Sequence, residues 1–142
     1  MKTIGNILWL IFGGIAMALA YALAGVVMFL LIITIPFGIQ AFKLAAFSLW
    51  PFGRVMVESP GKVGCVTTVG NILWVVLAGI WLAIGHIISA FFLAITIIGI
   101  PFAIANVKLA GAALVPFGRS VMSKEAAERQ QYRVVVGVDP LG

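Results

Sequence analysis

Few side chains in this chain could do chemistry, and most of them come in pairs. Lys43 and Lys108 stand 65 residues apart, each seven positions after a proline, Pro36 or Pro101, and each eleven before an arginine, Arg54 or Arg119. Gln40 and Asn106 lie within a turn of those lysines, and Asn6 and Asn71 open the two apolar stretches. A lysine at the centre of a membrane helix costs ~2.5–3.5 kcal/mol on insertion scales. Near a helix end the stem can snorkel, so interfacial anchoring is the default for Lys43 and Lys108. The sharper alternative is a ring of positive charge, reinforced by Arg54 and Arg119 at the mouth, that favours anions in a pore. Asn6 and Asn71 can cap a helix or bond to a neighbour, and with Gln40 and Asn106 they complete the polar candidates for a wet surface.

His86 replaces Tyr21 between the two stretches and is the one side chain there that titrates near neutral pH, a candidate pH sensor beside an outer turn. Glu58, Glu125, Glu128 and Asp139 all fall outside the apolar runs. Proton relays and cation sites in membranes rely on embedded carboxylates, so a proton-coupled pump or an acidic filter is disfavoured. One His and one Cys, Cys65, are too few for a catalytic triad, a zinc site or a disulfide, and no glycine-rich phosphate loop is present. No enzyme activity, metal or cofactor is expected.

These pairs exist because the chain is written twice. Gly5-Asn6-Ile7-Leu8-Trp9 returns as Gly70-Asn71-Ile72-Leu73-Trp74, and Pro51-Phe52-Gly53-Arg54 returns as Pro116-Phe117-Gly118-Arg119, at an offset of 65 without a gap. The organisation read from this is a repeat over 5–54, a linker over 55–69, a second repeat over 70–119 and a tail over 120–142. With 63% apolar residues, 9% charged and a mean hydropathy of +1.23, the solvent of the repeats is lipid. Lys2 before an apolar run resembles a secretory leader, but the same run recurs from Asn71 to Ile88, where no leader belongs.

From Asn6 to Trp50 a continuous helix would run about 67 Å, against a hydrocarbon core of roughly 30 Å. Each repeat is therefore expected to be a helical hairpin, turning near Ala24-Gly25 and near Gly85 to Ser89. The second arm of each is expected to be kinked or broken at Pro36 and Pro101, with Thr34 available to satisfy freed carbonyls. The fold class is an all-α membrane protein with four transmembrane helices as two parallel-repeat hairpins. All nine Lys and Arg can then lie on one side, which puts both termini in the cytoplasm. Trp9, Trp50, Trp74 and Phe117 fall near those ends, and Trp81 nearer mid-span. One crossing per repeat would turn the loop from Arg54 to Lys62 outward, against the charge rule.

The tail from Ser123 to Arg133 can form a short helix capped by Ser123 with a Glu125 to Arg129 pair, and Val134 to Val138 a strand. Its mixed charges argue against a nucleic-acid partner.

On Asn6-Ile7-Leu8-Trp9, Ile97-Ile98-Gly99-Ile100-Pro101, Ala105-Asn106-Lys108 and Trp50-Pro51-Phe52-Gly53-Arg54, the chain resembles the YccF family of bacterial inner-membrane proteins, over residues 5 to 119. The resemblance implies a bacterial inner-membrane location and carries over no catalytic residues.

The leading expectation is a small homo-oligomeric protein forming a passive, anion-preferring pore lined by Pro36 to Lys43 and Pro101 to Lys108. Its partners would be the lipid bilayer and permeant ions. A non-conducting scaffold binding another membrane protein through Gly13-Gly14 and Ala110-Gly111 is the alternative, and a small-solute transporter the third.

Overall fold

The computed structural model describes residues 2–59 and 64–138, so Lys62 and Asp139 lie outside the described residues. Each repeat begins with a long apolar arm. In the first repeat α1 (Lys2–Trp9) runs through a wider π turn at Leu10–Gly14 into α2 (Ile15–Leu30), and α3 (Ile35–Leu49) follows. In the second, α4 (Cys65–Trp74), a π turn at Val75–Gly79 and α5 (Ile80–Ile95) precede a 3-10 turn at Ile97–Gly99 and α6 (Ile100–Leu114). Lys2–Leu30, Cys65–Ile95 and Ile97–Leu114 are long and apolar enough to cross a membrane, and Ile35–Leu49 is a shorter apolar helix.

The chain reverses later than the small residues suggested. Gly25 lies inside α2 and Gly85 to Ser89 inside α5; the reversals fall at residues 31–34 and 96–99. Leu31, Ile32, Ile33, Ile97 and Ile98 there are apolar and exposed, Ile33 at 90% and Ile97 at 85%. Threonine makes this possible. The Thr34 hydroxyl donates to the Met28 carbonyl at 2.7 Å, and the Thr96 hydroxyl donates to the Leu93 carbonyl at 2.9 Å while accepting from the Gly99 amide. Backbone groups freed by the turn are thus satisfied without water, as an apolar surrounding demands.

Pro36 and Pro101 do not kink a helix. Each stands in the first turn of its helix, where the missing N–H has no intrahelical partner to lose. The irregularity is instead in the first arms, at the π turns, and a tryptophan explains it. The Trp9 indole lies over Gly14 and donates to the Ser48 carbonyl at 2.7 Å; Trp74 lies over Gly79 and donates to the Ala113 carbonyl at 2.6 Å. A Cβ at Gly79 would fall 2.7 Å from the Trp74 ring. Both indoles are buried in the bundle rather than settled at a membrane interface.

The linker and tail are not simple connectors. β1 (Arg54–Glu58) pairs antiparallel with β2 (Arg119–Ser123) on one edge and with β3 (Val134–Gly137) on the other. Between β2 and β3 lies α7 (Lys124–Arg129), whose first free amide, Ala126 N–H, donates to the Ser123 hydroxyl oxygen at 3.3 Å. The expected tail helix and its cap are present, and the Val134 strand joins a sheet. Glu125 does not pair with Arg129 by its carboxylate; it takes the Lys2 ammonium at 2.9 Å, tying the start of α1 to α7.

Two contacts define an axis. Met56 faces Val121 across β1 and β2, and Tyr21 meets His86 between α2 and α5. Each pair consists of a residue and its own copy 65 positions on, so both lie on one pseudo-two-fold. The aromatic packing obeys it: Phe37 of the first repeat packs on Phe117 of the second at 5.3 Å, and Phe102 of the second on Phe52 of the first at 6.0 Å. β3, which has no counterpart, breaks it.

Candidate functional site

Four of the six polar candidates are bonded within the bundle. The Asn6 amide donates to the Phe52 carbonyl and accepts from the Phe52 N–H, both at 3.0 Å; Asn71 does the same with Phe117, at 3.2 and 2.9 Å. One flat amide satisfies both backbone groups of a residue just past the second arm, at the point where the chain leaves the helix. Asn6 is fully buried there and Asn71 half-buried. These asparagines close the hairpins at their sheet end instead of capping their own helices.

Asn106 belongs to a chain of bonds on the pseudo-two-fold. Its amide nitrogen donates to the Phe102 carbonyl at 3.2 Å, so its oxygen must accept from His86 Nδ1–H at 2.8 Å. That fixes the tautomer of a neutral imidazole: His86 Nε2 accepts, and the Tyr21 hydroxyl donates to it at 3.0 Å. All three side chains are buried, with His86 at 0% exposure. His86 is therefore in mid-helix and enclosed, not at an outer turn meeting water. The sequence signal for this was present in the exchange of Tyr21 for His86 at equivalent positions, since like positions meet on a symmetry axis.

Lys43 and Lys108, identical in sequence context, part company. The Lys43 ammonium crosses to the second repeat and donates to the carbonyls of Pro116 at 2.6 Å and Arg119 at 2.8 Å. Lys108 is exposed on α6 and has no hydrogen-bond partner among the described residues. Gln40 is half-buried, and its Oε1 is enclosed without a partner among the described residues. Arg54 is exposed at the start of β1. Arg119 is half-buried across the ladder from Glu58; desolvation pulls its guanidinium below the ordinary value and the facing carboxylate opposes that pull. Of the small-residue surfaces, Gly14 is covered by Trp9 and Ala110 is buried, which leaves Gly13 and Gly111 open. Among the described residues no group of His, Cys, Asp and Glu is arranged to hold a metal ion.

Comparison with known proteins uses the same two blocks. The model of the inner membrane component domain, YccF, matches twice, over residues 4–54 and 69–119. The chain belongs to the YccF family. The inner membrane protein YccF of Escherichia coli (strain K12) is 38% identical over 136 residues, covering 90% of this chain and 92% of that protein. The inner membrane protein YccF of Shigella flexneri matches with the same identity and coverage. No solved structure matches. The two YccF blocks end at Arg54 and Arg119, so each contains its asparagine clamp, its tryptophan and its lysine whole. Membership makes this an inner-membrane component, with lipid around its exposed apolar helices.

Proposed function

We propose that this YccF protein is a non-conducting membrane scaffold. Its two parallel hairpins cross the inner membrane four times and hold the three-stranded sheet at the cytoplasmic face, where it offers another membrane protein a rigid platform. The observation that carries this reading is the fate of the polar side chains: Asn6, Lys43, Asn71, His86 and Asn106 all bond inside the chain. A conduction path lined by them would have to break those bonds, and each buried group left unpaired costs about 1–3 kcal/mol. The direction of insertion rests on charge, since Lys2, Arg54, Arg119, Lys124, Arg129 and Arg133 gather at the sheet end and cytoplasmic surfaces retain positive charge.

Gentle extraction of tagged protein from its native membrane, followed by mass measurement of the intact complex, tests the proposal. A fixed stoichiometry with a second membrane protein supports it; a homo-oligomer with a hydrated central axis overturns it. An oligomeric pore is the second reading, favoured by exposed Lys108 and by the enclosed, unpartnered Gln40 Oε1. In that arrangement several copies would turn α6 toward a common axis, and the pore would prefer anions.

A further inference from the structure

The pseudo-two-fold that pairs β1 with β2 also relates the outer edges of the two strands, and among the described residues only one edge carries a further strand. β3 lies along β1, pairing with Met56 and Val57, and packs against α6. Val136 and Val138 join the bundle core from there, and Met56 and Val57 are 0% exposed. Their equivalents 65 positions on, Val121 and Met122, are only half-buried. Beside them is a cleft of about 460 Å³, lined by Ala46 and Phe47 from the last turns of α3 and by Val121, Met122 and Ser123 from β2. The counterparts of these five residues are Gly111 and Ala112 on α6 and Met56, Val57 and Glu58 on β1, the two elements that β3 covers. The cleft is thus the second copy of the β3 site without its strand. Backbone geometry agrees. Ser59 N–H donates to the Gly118 carbonyl and Lys124 N–H to the Gly53 carbonyl, so Ser120 and Met122 bond to β1 while Arg119, Val121 and Ser123 turn their backbone groups outward. The Arg119 carbonyl takes the Lys43 ammonium at 2.8 Å, and the Val121 N–H and carbonyl and the Ser123 N–H present an edge to pair with.

We propose that this cleft accepts an extended segment of another membrane protein, which adds to the sheet beside β2 as β3 adds beside β1. Main-chain bonds to Val121 and Ser123 hold the segment. Apolar, β-branched side chains at alternate positions fill the cleft, the pattern by which Val136 and Val138 reach the core on the other side. A second copy of this chain is the poorer occupant, since its matching strand would have to leave β1 and expose Met56 and Val57 in order to arrive. The inference rests on the scaffold reading and names its docking element.

The test uses the intact full-length protein in detergent and a dye-labelled synthetic peptide with the sequence of residues 132–138, its binding followed by fluorescence anisotropy. Saturable binding is expected. Ala46→Trp, at an exposed position, fills the cleft and is expected to weaken binding about tenfold. A peptide carrying Val136→Pro loses a ladder donor and is expected to bind wild type as poorly, a result that does not depend on any variant folding. Gly111→Trp makes the equivalent change on the β3 side, where an added side chain meets open space, and is expected to leave binding unchanged. No binding to wild type overturns the proposal, as does a peptide held equally by wild type and Ala46→Trp. Binding lost in Gly111→Trp instead would show the peptide displacing β3 at its own site, and overturns it too. Wild-type protein that is dimeric and becomes monomeric with Ala46→Trp would give the cleft to a second copy and overturn the foreign strand. A native partner recovered with a protein that ignores the peptide would overturn this site and leave the scaffold reading standing. Peptide binding by a homo-oligomer with a hydrated axis would remove the scaffold reading alone.

Discussion

The asparagine clamps make a prediction that identical sequence context would not. Asn6→Ala removes an amide whose two bonds serve the backbone of Phe52, a residue only 4% exposed, from a site where Asn6 itself is 0% exposed. Water cannot replace the lost partner, so one N–H and one carbonyl stay buried and unsatisfied. At about 1–3 kcal/mol each, the substitution should cost about 2–5 kcal/mol. Asn71→Ala makes the same deletion where both Asn71 and Phe117 are half-buried, and water can take over much of the bonding. Its cost should be about 1–2 kcal/mol. Reversible unfolding of each variant in mixed micelles, at rising mole fraction of dodecyl sulfate, measures both. An Asn71→Ala cost equal to or above that of Asn6→Ala would refute the reasoning, as would an Asn6→Ala cost near zero.

Other outcomes follow from the same bonding. Tyr21→Phe leaves His86 Nε2 buried without a donor and should cost about 1–3 kcal/mol, while in the His86→Phe background the same change should cost much less; a double-mutant cycle with no coupling would break the proposed chain of bonds. The Lys2 ammonium holds the Glu125 carboxyl below the usual carboxylate range. A lowered folded value stabilises the folded state above the unfolded pKa, and that contribution is lost as pH falls through the folded one. Melting curves of wild type and Lys2→Ala should therefore converge in acid and separate by a constant, small amount above the carboxylate range. The hairpin tips lie at the end opposite the sheet, so Ile33→Cys and Ile98→Cys in a Cys65→Ser background should react with a membrane-impermeant maleimide from the periplasmic side only, whereas exposed Cys65, at the sheet end, should label only in opened membranes. Tips that resist the reagent from both sides would contradict four crossings.

Much of this architecture could be read from the residues. The offset of 65, the apolar runs and the blocks ending at Arg54 and Arg119 gave two membrane modules, and Ser123 followed by Lys124-Glu125 gave the short capped helix. The reversals were missed because their usual polar signature is absent. Residues 30–34 and 95–99 are almost wholly apolar, and a single threonine in each, Thr34 or Thr96, does the capping that loop residues and water do in soluble proteins. The prolines misled for a related reason: placing the turn too early put Pro36 and Pro101 inside a helix, whereas they start one. The β1–β2 pair carried a weak signal in the short continuous apolar run Val55-Met56-Val57, overshadowed by the brevity of the linker. The unequal fates of Lys43 and Lys108 could not be read at all. Equivalent residues differ only where the symmetry fails, and it fails at β3, which is outside the repeat.

The pseudo-two-fold also explains why polar residues persist in an apolar bundle. Equivalent side chains brought onto an axis must be compatible with each other, and two tyrosines or two histidines at Tyr21 and His86 would present like groups to like. One donor facing one acceptor resolves the conflict. Asn106, opposite Ala41 in the aligned repeats, then completes the chain from one side only.

Ion flux across sealed vesicles bears most directly on the central claim that Asn6, Lys43, Asn71, His86 and Asn106 are engaged within the bundle rather than lining a path. Purified wild-type protein reconstituted over a range of protein-to-lipid ratios, with a chloride gradient and a voltage imposed, is predicted to pass no more current than protein-free vesicles. A flux that rises with the protein-to-lipid ratio and loses its anion preference in Lys108→Ala would contradict it.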